Sequence, residues 1–112
     1  MKSTYGTMYY VDNMKESVAF YKTMGFSTDH ENDFWTEFDL SGHKLCLHAK
    51  KPNETYNPNG ILIVNQDGLK THFENMKKDG YNVSGLHEVH EGAWSFHLKD
   101  KSNNETSFYG KA

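Results

Sequence analysis

The side chains with the widest chemical range in this 112-residue chain are seven histidines, one cysteine and two tryptophans. Imidazole titrates near neutral pH and is the commonest metal ligand, and a thiolate is both nucleophile and soft ligand. What such groups can do together depends on spacing. His87, Glu88, His90 and Glu91 form the densest cluster, but His-Glu-Val-His-Glu is not the His-Glu-x-x-His pattern that places two imidazoles on one helix face. Its setting reads as strand and turn, so exposed loop positions are expected there. His30 and His43 also fall at turn-like positions, and His72 sits beside a helical stripe, where a surface position is expected. His48 and His97 differ. Each belongs to a run of alternating apolar and polar residues, and the apolar members must face a core, leaving the imidazole on the opposite face. Two such histidines could bind a metal or act as acid and base; they could equally be hydrogen-bonded packing in a sheet. Cys46 shares the face of His48. Its thiol is reactive if activated there and inert if merely half-buried.

The totals narrow the partners. A formal charge of −3, with all twelve cationic residues lysine and none arginine, argues against a nucleic-acid binder, which needs a basic stripe, and removes bidentate clamping of phosphate or carboxylate. A single cysteine permits no internal disulfide. The first residues lack the apolar stretch of a signal peptide, and the longest apolar run, Ile61 to Val64, is too short to span a bilayer. A cytoplasmic protein with neither a nucleic-acid nor a membrane partner is expected. One domain fits the length, with its core carried largely by aromatic rings.

The elements that must position these groups repeat. Met14, Val18, Tyr21 and Gly25 run i, i+4, i+7, i+11, and so do Leu69, Phe73, Met76 and Gly80. Each stripe follows an aspartate suited to cap a first turn, Asp12 or Asp67, with Asn13 and Glu16 as an alternative capping box. Each ends in a glycine suited to close a helix and then an aromatic, Phe26 or Tyr81. Strand-like stretches precede the helices, Tyr5–Val11 and Gly60–Val64, and alternating runs follow: Phe34–Leu40 and Lys44–His48 in the first half, Ala93–Asp100 and Glu105–Tyr109 in the second. The offset between halves is 55 residues at the helices and 61 at the hairpins, implying about six extra residues around Tyr81–His90. The polar stretch 51–59, which holds both prolines, reads as a linker between module one (1–50) and module two (60–112).

Specific residues give this repeat a likeness. Asp12, Ser17 and Phe20-Tyr21-Lys22-Thr23-Met24-Gly25-Phe26, together with Gly92, Asp100, Asn104 and Phe108-Tyr109-Gly110, resemble the opening and closing motifs of the glyoxalase/bleomycin-resistance/dioxygenase family, the vicinal oxygen chelate superfamily. The resemblance spans nearly the whole chain, with Lys101 and Asn103 where proline and glycine are usual. It implies an α+β fold of two βαβββ modules, whose curled mixed sheets form a cleft. It also implies a divalent metal held by His, Gln or Glu from the first and last strand of each half. Those positions here are Tyr5, Asn59 or Gly60, Cys46 (or His48 if the register slips by two) and Ser107. None in the preferred register is a His, Glu or Gln, so no metal or other cofactor is expected, a divalent metal being the alternative.

Alternation along the strands then lines the implied cleft with Tyr5, Tyr9, Trp35, Cys46, His48, Ile61, Ile63, His97, Ser107 and Tyr109. Tyr5, Thr7 and Tyr9 share one face of their strand; Met8 and Tyr10 share the other. Such a lining suits a planar or amphipathic small molecule bound by stacking and desolvation. The leading expectation is a metal-independent small-molecule binder of this family, dimeric as family members often are. One alternative is a metal-dependent lyase, isomerase or dioxygenase using a set such as Tyr5, Cys46 or His48, and His97. Another is a structural or regulatory homodimer with a vestigial cleft. Catalytic residues are not assigned.

Overall fold

The computed structural model of the chain describes residues 3–53 and 56–112. Met1 and Lys2 of the expected first module, and Glu54 and Thr55 of the expected linker, lie outside the described residues. The chain divides into two compact units, Tyr5–Gly60 and Ile61–Ala112, with Ser3 and Thr4 grouping with the second. Each unit is a four-stranded mixed sheet with one helix, so the fold is α+β with two βαβββ modules.

In the first unit the elements are β1 (Ser3–Val11), α1 (Met14–Thr23), β2 (Ser27–Glu31), β3 (Trp35–Leu40) and β4 (His43–Ala49). The strand order is β2-β3-β4-β1; β1 lies parallel to β4 and the other pairs are antiparallel. Of the two possible helix starts, Asn13 is the one used: its side chain accepts a hydrogen bond from the Glu16 amide at 3.1 Å. Gly25, at φ 85°, closes the helix in the left-handed region. The stripe of α1 then packs Met14 and Val18 against Phe38, Leu45 and Leu47, with Tyr21 and Phe26 at the margin. Thr36 is fully buried on the same side of the sheet, and its hydroxyl donates to the Asn32 carbonyl at 3.3 Å, which spares it the cost of an unsatisfied buried polar group.

The second unit repeats the plan with β5 (Ile61–Asn65), α2 (Leu69–Lys78), β6 (Asn82–His90), β7 (Ala93–Lys99) and β8 (Glu105–Gly110). The order is β5-β8-β7-β6, with β5 parallel to β8. Here the expected cap is wrong. Gly68 occupies the N-cap at φ 66° without a side-chain bond, and the Asp67 carboxylate instead accepts from the Lys111 amide at 3.1 Å. Val64, Leu69, Phe96 and Phe108 form the core, flanked by Phe73 and Met76. Aromatic rings do much of this packing, Phe96 stacking on Phe108 with centroids 4.9 Å apart. His72 is not a surface residue: it is half-buried, 5.0 Å from the Phe108 ring. The extra residues of the second half lengthen β6 to nine residues, against five in β2, and are absorbed by register shifts around Gly85. No helix among the described residues is long and apolar enough to cross a membrane.

Candidate functional site

Each sheet has one face against its helix and one turned away. In the first unit Phe38, Leu45 and Leu47 point at α1, so their strand neighbours Trp35, Glu37, Cys46 and His48 occupy the other face. The Glu37 carboxylate organises that face. One oxygen accepts from the Tyr5 hydroxyl at 2.7 Å and the other from the Trp35 indole N–H at 2.7 Å. Charge-assisted bonds of this kind hold both rings in fixed orientations. His48 stands in an aromatic surround, with Phe34, Tyr10 and Trp35 ring centroids at 4.7, 5.0 and 5.7 Å, and the Tyr56 ring lies against Tyr10, tilted by 36° with centroids 4.4 Å apart. The Nδ1 of His48 lies 2.8 Å from the Ala49 carbonyl oxygen. A carbonyl only accepts, so Nδ1 carries the proton, and in the neutral ring Nε2 is left as the acceptor.

Tyr9 does not join this face. The parallel register sets Met8 beside Cys46, Tyr9 beside Leu47 and Tyr10 beside His48. Met8 and Tyr10 therefore stand on the face turned away from α1, and Tyr9 stands on the helix side. Tyr5 and Tyr9, expected together, have different partners: the Tyr5 hydroxyl bonds to Glu37, while Gly6 brings β1 so close to β4 that a Cβ would lie 2.2 Å from the Lys44 carbonyl oxygen. Tyr5 precedes the paired stretch and reaches Glu37 from there. Glu37, Tyr10, Phe34 and Tyr56 contact these side chains, and sequence reasoning did not single them out. Only Glu37 carried a usable signal, since period two puts it beside Trp35.

In the second unit Phe96, Phe108 and Val64 face α2, which leaves Ile61, Ile63, Ser95, His97, Ser107 and Tyr109 on the other face, as the alternation requires. Ile61 and Ile63 are buried, as are Ser95 and Ser107, whose hydroxyls bond to each other at 3.0 Å. His90 and His87 are not loop residues. They lie on β6, where His90 Nε2 meets the Tyr109 hydroxyl at 2.8 Å and the His87 ring stacks 6.3 Å from that of His97. Gly85 makes room for His97; a Cβ there would sit 2.9 Å from His97 Cδ2.

Burial holds the His97 imidazole below its ordinary pKa; Glu105, with its carboxylate 3.5 Å from Nδ1, pulls the other way, while His87 and Lys99 push further down. A base whose pKa falls on folding binds protons more weakly when native than when unfolded. Its contribution to stability is therefore full above the unfolded value of about 6.5 and is lost as pH falls toward the depressed folded value. The melting temperature is expected to drop between about pH 7.5 and pH 5 and to drop less in a His97→Gln variant; equal drops in the two proteins would remove His97 as the cause.

The four positions at which the resemblance implies metal ligands do not fit a divalent cation. The Tyr5 hydroxyl is committed to Glu37. Burial first, and the Glu37 charge second, push the Cys46 thiol up to about 12, so the free thiolate that an electrophile needs is disfavoured. Gly60 brings no side chain, and the Asn59 carboxamide is a neutral and weak oxygen donor. The Ser107 hydroxyl is shared with Ser95. Among the described residues, no three His, Cys, Asp or Glu side chains converge as a metal-holding group.

On the helix side of the first unit lies a pocket of about 330 Å³. Tyr9 and Thr7 form its floor from β1. Tyr21, Met24 and Phe26 close one side from the end of α1 and beyond, and Leu40 and His43 the other, from the β3–β4 turn. His43, expected as a solvated turn residue, is half-buried there, with Nε2 3.0 Å from the Thr7 hydroxyl oxygen.

No protein-family model matches the sequence, and no curated protein matches it. Solved structures do match. A glyoxalase/bleomycin resistance protein/dioxygenase superfamily member from Vibrio splendidus 12B01 superposes with a TM-score of 0.73 at 12% identity, over 97% of this chain and 98% of that one. A hypothetical protein from Bacillus halodurans C-125 gives 0.81 at 12% identity, over 99% and 95%. The methylmalonyl-CoA epimerase of Mycobacterium tuberculosis gives 0.77 at 11% identity, over 97% and 87%. The chain has the vicinal oxygen chelate fold; at these identities the likeness speaks for the fold and not for a reaction.

Proposed function

We propose, from the fold shared with the glyoxalase/bleomycin resistance protein/dioxygenase superfamily, that this protein binds a planar or amphipathic small molecule on the sheet faces turned away from its helices, and does so without a metal. The observation that carries the reading is the Tyr5–Glu37–Trp35 clamp beside His48. An indole held by a carboxylate loses little further freedom on binding, which lowers the entropic cost of stacking. His48 Nε2 adds a hydrogen-bond acceptor beside the rings, giving the mixture of aromatic wall and few polar points typical of small-molecule sites. The donor set at the four family positions supports metal independence. Net charge and the lack of arginine favour a ligand without phosphate groups.

The test is a small-molecule screen read by tryptophan fluorescence. Trp94 lies on the α2 side with Lys70 Nζ 4.0 Å from its ring centroid, so a Trp94→Phe variant leaves Trp35 as the sole reporter. A planar ligand is expected to quench or shift Trp35. Trp35→Ala is expected to weaken binding about tenfold, the ~1.4 kcal/mol scale of one aromatic contact. Unaltered affinity in Trp35→Ala would sink the site, and binding abolished by a chelator and restored by one divalent metal would sink metal independence.

A further inference from the structure

The pocket beneath the end of α1 lies on the opposite face of the sheet from Trp35 and His48, and the proposed function makes no use of it. Its volume of about 330 Å³ falls in the range of small-molecule sites. Its walls are mostly ring and aliphatic surface, and one side is stiff: Tyr21 and Phe26 stack nearly parallel, at 9° and 5.9 Å. Met24 supplies an adaptable, polarisable edge. At the mouth, Tyr9, Met24 and Leu40 are 40%, 50% and 37% exposed, so three large apolar side chains meet water around one concavity.

The polar content of the pocket restricts what can enter. Thr7 Oγ1 bonds to His43 Nε2, which uses one of the hydroxyl's three hydrogen-bonding positions and leaves capacity toward the cavity. No carboxylate lines the pocket. Its ammonium, on Lys44, is ion-paired with Asp29 and lies 3.9 Å from Asp39. Neither a cation nor an anion would find an uncompensated opposite charge. We propose that the pocket is a second ligand site, taking an uncharged aromatic alcohol or phenol of about two fused rings, with the rings between Tyr9, Tyr21 and Phe26 and the hydroxyl on Thr7.

The probe is 2-naphthol, titrated into the 15N-labelled protein and followed by amide chemical shifts. Saturable shifts centred on Thr7, Tyr9, Tyr21 and Leu40 are expected, with naphthalene binding several-fold more weakly and Thr7→Val abolishing that preference. Met24→Lys and Leu40→Lys, both at exposed positions that tolerate charge, are each expected to weaken 2-naphthol about tenfold. Trp35→Ala is expected to leave its affinity within about twofold. The proposal is overturned if no shift at Thr7, Tyr9, Tyr21 or Leu40 saturates, in the parent or in Trp35→Ala, or if both lysine variants bind there as the parent does. The same pair of outcomes separates this pocket from the face proposed above, since each is blocked by variants that spare the other.

Discussion

Phe38→Ala is expected to lower the free energy of unfolding by about 3–5 kcal/mol, the range for truncating a buried aromatic ring. Phe38 is 0% exposed and sits where α1 meets the first sheet, between Leu45 on the adjacent strand and the Tyr21 and Phe26 rings at 5.8 and 6.2 Å. Removing it forfeits the transfer energy of the ring and leaves a cavity that Tyr21 and Phe26, already stacked on each other, cannot collapse into without breaking that stack. A domain holds only about 5–15 kcal/mol in total, so the variant is expected to unfold at much lower denaturant with little change in slope. Phe20→Ala is the control. Phe20 is 60% exposed and is expected to cost well under about 1 kcal/mol. A denaturation midpoint for Phe38→Ala close to that of Phe20→Ala would show that the first core is not where the structure places it.

Gly110→Ala is expected to cost about 3 kcal/mol, or to prevent accumulation of folded protein. The reason is space. An added Cβ would stand 2.1 Å from the Gln66 carbonyl oxygen and 2.7 Å from its carbon, and neither can swing aside. The Gln66 amide donates to the Tyr109 carbonyl at 2.9 Å, and the Lys111 amide is held by Asp67, so the chain is fixed on both sides of the contact. Gly80→Ala offers the opposite case. Its Cβ would meet nothing within 4 Å, but its φ of 88° is left-handed, a conformational cost of about 1 kcal/mol. Thermal melts are expected to rank parent, Gly80→Ala, Gly110→Ala from most to least stable. A Gly110→Ala protein melting with the parent would contradict the close approach of β8 to the segment leading into α2. The aromatic-aromatic-glycine ending of β8 thus has a physical reason: the glycine lets this terminal segment pass against backbone.

Much of the fold was legible because it rests on periodicities that a sequence carries openly. The two helical stripes, their closing glycines and the alternating runs of β3, β4, β7 and β8 each say which side chains must leave water together. Trp35, Cys46, His48, Ile61, Ile63, His97, Ser107 and Tyr109 all stand on the side of their sheet that alternation assigns. The aspartate caps were less legible. Asp12 and Asp67 are both good cap chemistry, but a carboxylate takes whichever amide the folded chain offers, and for Asp67 that amide belongs to Lys111, distant in sequence. The same limit applies to His43, His87 and His90. Nothing local predicts that Thr7, the His97 ring or the Tyr109 hydroxyl arrives beside them.

What the sequence determined alone, then, is the repeat and the inward faces of both helices and of β3, β4, β5, β7 and β8. What only the tertiary structure decided is the face on which β1 lays its tyrosines. Tyr5, Tyr9 and Tyr10 are chemically near-equivalent, so both faces of β1 are aromatic and hydrophobicity does not choose between them. The choice falls to the register of β1 against β4, where a one-residue difference turns every side chain over. That register is set by backbone hydrogen bonds to a strand more than thirty residues away and by the close approach at Gly6. It sends Tyr10 to His48 and Tyr9 to the pocket beneath α1.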